Sequence, residues 1–167
     1  MSVNKKQNEP VIVVLSGGQD STTCLYHAID VHGEENVLAI SFNYGQKHKI
    51  ELQSAHTIAS MAGVQHEIID VKDNLVSMSP LTNPEVHLEQ YKNFEQMQDV
   101  IGQRRELTFV PMRNTLFLVI AANRAEVLGV KKIYIGVCEE DNANYTDCTY
   151  NFISCAERLI NESLGYN

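Results

Sequence analysis

Val11-Ile12-Val13-Val14-Leu15-Ser16-Gly17-Gly18-Gln19-Asp20-Ser21 is the stretch from which the rest of the chain can be read. A continuous β-branched run suits a strand buried on both faces, since a half-exposed strand would alternate with polar residues. The turn formers Ser16, Gly17 and Gly18 stop that strand. Asp20 and Ser21 then supply an N-cap and first turn for a helix, in which Cys24, Leu25, Ala28 and Ile29 recur at helical spacing up to His32-Gly33. The unit is strand, glycine turn, helix.

The same alternation continues outward. Residues 37–42 are apolar and strand-like, and Ile50, Leu52, Ala55, Ile58, Ala59 and Ala62 are placed as on an amphipathic helix closed by Gly63. Residues 66–71 give a third strand. Residues 113–128 resume as a helix with Leu116, Phe117, Ile120, Ala121 and Val127 inward, residues 132–137 give a fourth strand, and residues 152–164 a last helix. Strands alternating with helices of this length imply right-handed crossovers, hence an α/β fold with a parallel sheet and helices on both faces. Residues 72–106 interrupt the rhythm. They are polar, carry Pro80 and Pro84, and hold a helix-compatible stretch at 91–101 that reads as a flap.

The 167 residues, 44% hydrophobic and 20% charged, fit one domain over residues 11–167 preceded by a flexible segment, residues 1–10. No apolar run is long enough to span a bilayer. A formal charge of −8 disfavours a non-specific binder of nucleic-acid backbone, so any anion site must be local. The first ten residues carry Lys5 and Lys6 but no apolar core of a signal peptide, which places the expected location in the cytoplasm. Cys24, Cys138, Cys148 and Cys155 are scattered without a C-x-x-C pair, so reduced thiols are expected and a structural zinc set is not.

The glycine turn carries the chemistry. It sits at the carboxyl end of the first strand, where open parallel sheets bind ligands. Two glycines let the backbone approach a ligand and present N–H groups, and the helix start adds partial positive charge, so an anion such as phosphate is favoured. Asp20 in such a cradle makes sense when Mg2+ bridges the carboxylate to phosphates. A nucleotide with magnesium follows. The spelling is neither G-x-x-x-x-G-K-[ST] nor G-x-G-x-x-G. The plainer alternative is a capped glycine turn with no ligand.

Ser16-Gly17-Gly18-Gln19-Asp20-Ser21-Thr22-Thr23 resembles the PP-loop of the N-type ATP pyrophosphatases. Three further blocks narrow the likeness. Phe42-Asn43-Tyr44-Gly45-Gln46-Lys47-His48 resembles F-x-Y-G-Q-R-H, and Phe109-Val110-Pro111-Met112-Arg113-Asn114 resembles F-V-P-G-R-N. Gly136-Val137-Cys138-Glu139 with Asp141, Tyr145, Asp147 and Cys148 resembles G-V-C-E-T-D-x-S-G-Y-P-D-C-R. Together, in this order, they are similar to the 7-cyano-7-deazaguanine synthase (QueC) family.

That resemblance implies a Rossmann-like (adenine nucleotide alpha hydrolase-like) fold and an ATP-dependent ligase. The reaction would convert 7-carboxy-7-deazaguanine and ammonia to the nitrile, for queuosine biosynthesis, by adenylation of the carboxylate and then of the amide. ATP would lie on Leu15, Ser16, Gly17, Gly18, Gln19, Asp20, Ser21 and Thr22, with Phe42 and Tyr44 bordering adenine and Asp20 holding magnesium. Asp20, Arg113 and His48 would be catalytic, and Gln46, Lys47, Asn114, Glu139, Asp141, Tyr145 and Asp147 would meet the substrate. Each has a plainer reading: Arg113 as a surface cation, Lys47 and His48 as a solvated helix start, and Asp141, Tyr145 and Asp147 as loop polars.

The likeness has departures. Family members continue with a further strand and a four-cysteine zinc cluster, and neither those zinc ligands nor that strand is in this chain. A homodimer or a complementing C-terminal fragment is an expected partner; a membrane and direct nucleic-acid contact are not. Met112 stands where the family has glycine, and Ala143, Asn144, Thr146 and Thr149 replace its S, G, P and R. A glycine-to-methionine change matters where the backbone needs close approach or unusual dihedrals. Alternatives in the same superfamily are another acceptor, as in tRNA modification or amidation, or a non-catalytic nucleotide-binding paralogue.

Overall fold

The computed structural model describes residues 8–46, 50–75, 109–138 and 145–166. The expected flap at 91–101, most of the N-terminal segment, and Lys47, His48, Glu139 and Asp141 lie outside the described residues. Among the described residues four strands and four helices follow in order: β1 (Val11–Val14), α1 (Gln19–His32), β2 (Val37–Asn43), α2 (Ile50–Met61), β3 (Gln65–Asp70), α3 (Arg113–Leu128), β4 (Lys132–Ile135) and α4 (Tyr150–Leu164). Short 3-10 turns precede β2 and α4.

All pairings are parallel and the strand order is β3-β2-β1-β4. Val11 is in register with Val37 on one side and Lys132 on the other. The chain therefore steps outward from β1 through β2 to β3, then returns across the sheet to β4. Right-handed crossovers in opposite directions put their helices on opposite faces. The packing agrees: Val11, Val13 and Leu15 bury against Leu25 and Ala28 of α1 and Ala55 and Ala59 of α2, whereas Ile12 and Val14 bury against Phe117, Ala121 and Ala125 of α3. The period of two along β1 splits its side chains between two cores, which is why every residue of the strand is apolar.

The expected N-cap of α1 is corrected. Gly18 occupies that position with no side-chain cap, and Asp20 and Ser21 already lie in the first turn. Glycine enters the helix directly from the bend, and the Ser21 hydroxyl is committed to the turn instead, donating to Gly18 O at 3.1 Å. Met112 takes φ 62, ψ 9 at the start of α3, a left-handed conformation that costs a residue with a Cβ about 1 kcal/mol or more. Its side chain is 63% exposed, so the departure from glycine strains the backbone without filling the interior. Thr149, where the family has arginine, caps α4 by accepting from Phe152 N–H at 3.1 Å.

Candidate nucleotide site

The site is assembled where β1, β2 and β4 end. Leu15 N–H donates to Ile40 O at 2.8 Å, so pairing with β2 persists one residue past β1 before the chain bends. Gly17 makes the bend at φ +87, and a Cβ there would stand 2.6 Å from Glu51 O and 2.8 Å from Ala55 N of α2. Glycine is thus required twice, for its dihedral and for the approach of α2. Across the site, a Cβ on Gly136, just past β4, would stand 2.6 Å from Ser21 N and Asp20 C. The first turn of α1 rests on that glycine.

Inside the bend the polar groups are tied to each other. Ser16 N–H donates to Ser21 Oγ at 3.1 Å, the two hydroxyls are 2.9 Å apart, and Thr22 Oγ1 donates to Gly18 O at 2.7 Å. The bend opens into a cavity of about 390 Å³, within the range of small-molecule sites. Leu15, Ser16, Gly17, Gly18 and Ser21 form one wall. Phe42, Tyr44, Gln46, Arg113 and Asn114 line it from β2 and α3.

The aromatic part has a defined shape. Phe42 stacks on Phe117 with centroids 4.2 Å apart and rings 6° from parallel, and Tyr44 tilts over Phe117 at 5.6 Å. The Arg113 guanidinium lies 5.7 Å from the Tyr44 ring centroid, a cation over a π face. Burial pushes the Tyr44 phenol above its ordinary pKa while Arg113 works the other way, so the phenol stays a neutral hydrogen-bonding group. Arg113 is the cation among the described lining residues and the first residue of α3, well placed for an anion.

Other expected residues hold the walls. Gln46 accepts from Tyr44 N–H at 3.0 Å and donates to Phe42 O at 3.3 Å, so its amide braces its own loop. Asn114 donates to Asp147 O at 3.0 Å, joining α3 to the turn before α4. Asp147 is buried and its Oδ2 has no hydrogen-bond partner. Gln19, Asp20, Thr22, Tyr145 and Asp147 do not line the cavity. Asp20 is exposed on the first turn of α1, and Glu51 is the lining carboxylate. Among the described residues no group of three or more His, Cys, Asp and Glu could hold a metal ion by itself. Glu51 on the cavity wall and Asp20 on the first turn of α1 are the carboxylates with oxygens of the kind a hard cation takes.

Gly136, Glu51, Ser54 and Phe117 also line the cavity; the sequence marks Gly136 only as the start of a motif block and Phe117 only as core, and does not single out Glu51 or Ser54. Gly136 carried a signal, because it follows a strand as Gly17 does. Glu51 and Ser54 carried none, since the approach of α2 to the bend is a tertiary fact. A second cavity, about 260 Å³, lies between α3, α4 and β4 and is walled by Leu118, Ala122, Ile133, Ile153 and Ile160. It is mostly apolar, but its lining also carries Glu126, Lys131, Glu157, Asn161 and Tyr166, with Lys131 tied to Glu126 and Tyr166. No helix among the described residues is long and apolar enough to cross a membrane, and no disulfide joins the four cysteines among the described residues.

The family model described as "Queuosine biosynthesis protein QueC" matches residues 10–166. A curated 7-cyano-7-deazaguanine synthase of Lysinibacillus sphaericus (strain C3-41) is 40% identical over 161 residues, covering 95% of this chain and 68% of that protein. A solved glutamine-dependent NAD+ synthetase from Acinetobacter baumannii, in complex with ADP, is similar at a TM-score of 0.49 and 20% identity, covering 75% of this chain. This chain spans 21% of that larger one.

Proposed function

The chain belongs to the QueC family, and on that premise we propose that it is an ATP-dependent ligase making 7-cyano-7-deazaguanine from 7-carboxy-7-deazaguanine and ammonia. The observation that carries the reading is the cavity on the glycine bend, where the bend's main chain, the α1 start and Arg113 converge beside an aromatic wall. Ser16, Gly17, Gly18 and Ser21 would hold the phosphates, and Phe42 and Tyr44 would border adenine. Magnesium would be held by phosphate oxygens with Asp20 or Glu51 at its outer side, supplying charge neutralisation.

A carboxylate oxygen is a poor leaving group. Its attack on the α-phosphorus of ATP expels pyrophosphate and leaves an acyl adenylate. Ammonia attacks the acyl carbon, AMP departs with the electron pair of the C–O bond, and a proton is released to give the amide. The amide oxygen then attacks the α-phosphorus of a second ATP, expelling pyrophosphate as one N–H proton is lost, and loss of AMP and the second proton from the adenylated imidate yields the nitrile. Arg113 stabilises charge on the phosphates, and the rigid bend keeps the reacting groups in line. Asn114 holds the turn bearing Tyr145 and Asp147, which would meet the base; Lys47, His48, Glu139 and Asp141 are assigned to substrate by family likeness alone. A second copy, or a segment corresponding to the part of the relative that this chain does not span, would complete the site.

Incubation with the carboxy base, ammonium, Mg2+ and ATP should give the nitrile with AMP and pyrophosphate, two of each per product, by chromatography and phosphorus NMR. Absence of any base-dependent AMP, with the relative's remaining segment also supplied, would remove the assignment.

A further inference from the structure

Ser41 is a polar residue in the middle of an apolar strand, and it is 1% exposed. Its Oγ lies 2.6 Å from Leu15 O and 2.8 Å from His66 Nε2 of β3. A hydroxyl has one proton, and a carbonyl can only accept. The proton therefore goes to Leu15, and His66 must donate from Nε2 to the Ser41 oxygen. That fixes the imidazole tautomer and leaves Nδ1 as a buried acceptor without a partner. Burial, then the neighbouring His56 ring at 5.8 Å, push the His66 pKa below its ordinary value, which keeps the ring neutral.

Leu15 C=O and Ser16 N–H are the two ends of one planar peptide group. The first end is held by Ser41. The second donates to Ser21 Oγ, and Ser21 in turn donates to Gly18 O. A continuous chain of polarised hydrogen bonds thus runs from β3, across β2, through the entry peptide of the bend, and into the first turn of α1. Burying the Ser41 hydroxyl and part of the His66 ring is costly compared with an apolar pair of similar volume, so packing alone does not account for them.

We propose that Ser41 and His66 are positioning residues that fix the Leu15–Ser16 peptide plane and thereby pre-orient the amides of Gly17 and Gly18 for phosphate. The proposal rests on the nucleotide reading of the cavity. Neither residue lines that cavity, so both act through the bend.

The test compares Ser41→Ala, His66→Leu, the double variant, and His66→Gln, whose amide nitrogen can occupy the place of Nε2. MgATP affinity is measured by calorimetry, and Ser16 amide exchange by NMR in the unliganded protein. Loss of one hydrogen bond predicts about tenfold weaker MgATP binding and about tenfold faster Ser16 exchange in each single variant. The double variant should be no worse than either alone, and His66→Gln should return to within about threefold. A core variant such as Val37→Ala, with a comparable drop in melting temperature, should leave both readings unchanged. The proposal is overturned if Ser41→Ala and His66→Leu match the wild type, or if His66→Gln and Val37→Ala fall as far as they do. Should the wild type bind no MgATP, the nucleotide reading fails, and the exchange readings alone decide the relay by the same criteria.

Discussion

The cavity on the glycine bend and the one between α3, α4 and β4 flank the same strand, yet they are concave for different reasons. In the first, glycine main chain forms one wall: Gly17 and Gly18 line it, and Gly17 and Gly136 let α2 and α1 come within distances that a Cβ would forbid. In the second, side chains form the wall, and the concavity exists because α4 sits beyond the edge strand with none of its own residues buried. Both cavities carry a cation and a carboxylate among their lining residues, but in the second Lys131 is already tied to Glu126 and Tyr166, and only the first has a glycine-lined main-chain wall. The difference lies in that main-chain wall rather than in the presence of charge.

The most severe way to break this contrast is Gly136→Ala. Its methyl would meet the first turn of α1, and overpacking of this kind costs about 1–3 kcal/mol. Urea unfolding should show that loss, and MgATP affinity should fall at least about tenfold as the bend is displaced. Arg113→Ala removes the lining cation while leaving the core intact. A charge-assisted hydrogen bond contributes about 1.5–3 kcal/mol, so calorimetry should give at least about tenfold weaker MgATP binding with little change in unfolding midpoint. Met112→Gly relieves the left-handed backbone and should raise stability by about 1 kcal/mol, with affinity unchanged. Acid titration is expected to act gradually. Burial lowers the pKa of His32 and of His66, so stability is full above the ordinary histidine value of about 6.5 and declines as pH falls below it. Unfolding curves at stepped pH would check the direction. Ile160→Ser, in the apolar cavity, should leave MgATP affinity within error; a clear loss there would dissolve the distinction between the two regions.

The sequence made β1 legible because its apolar run is continuous, and made the limits of α3 legible to the residue with Gly129 marking its end, although Val127, expected inward, is exposed. The start of α1 misled, since Asp20 and Ser21 look like caps while the structure spends Ser21 on Gly18 and exposes Asp20. Ten of the expected site residues converge on one cavity, all from motif positions at strand ends or helix starts. Glu51 was hidden because its place depends on how α2 docks. The Ser41–His66 pair was hidden because two residues 25 apart on neighbouring strands share no local pattern.

The tie between α3 and the turn before α4 runs from the Asn114 side chain to the carbonyl of Asp147, not to its carboxylate. Any residue at that position presents the same carbonyl. Side chains at position 147 can therefore change without loosening the strut that ties this turn to α3. The joint depends on where the backbone runs and is indifferent to what the backbone carries.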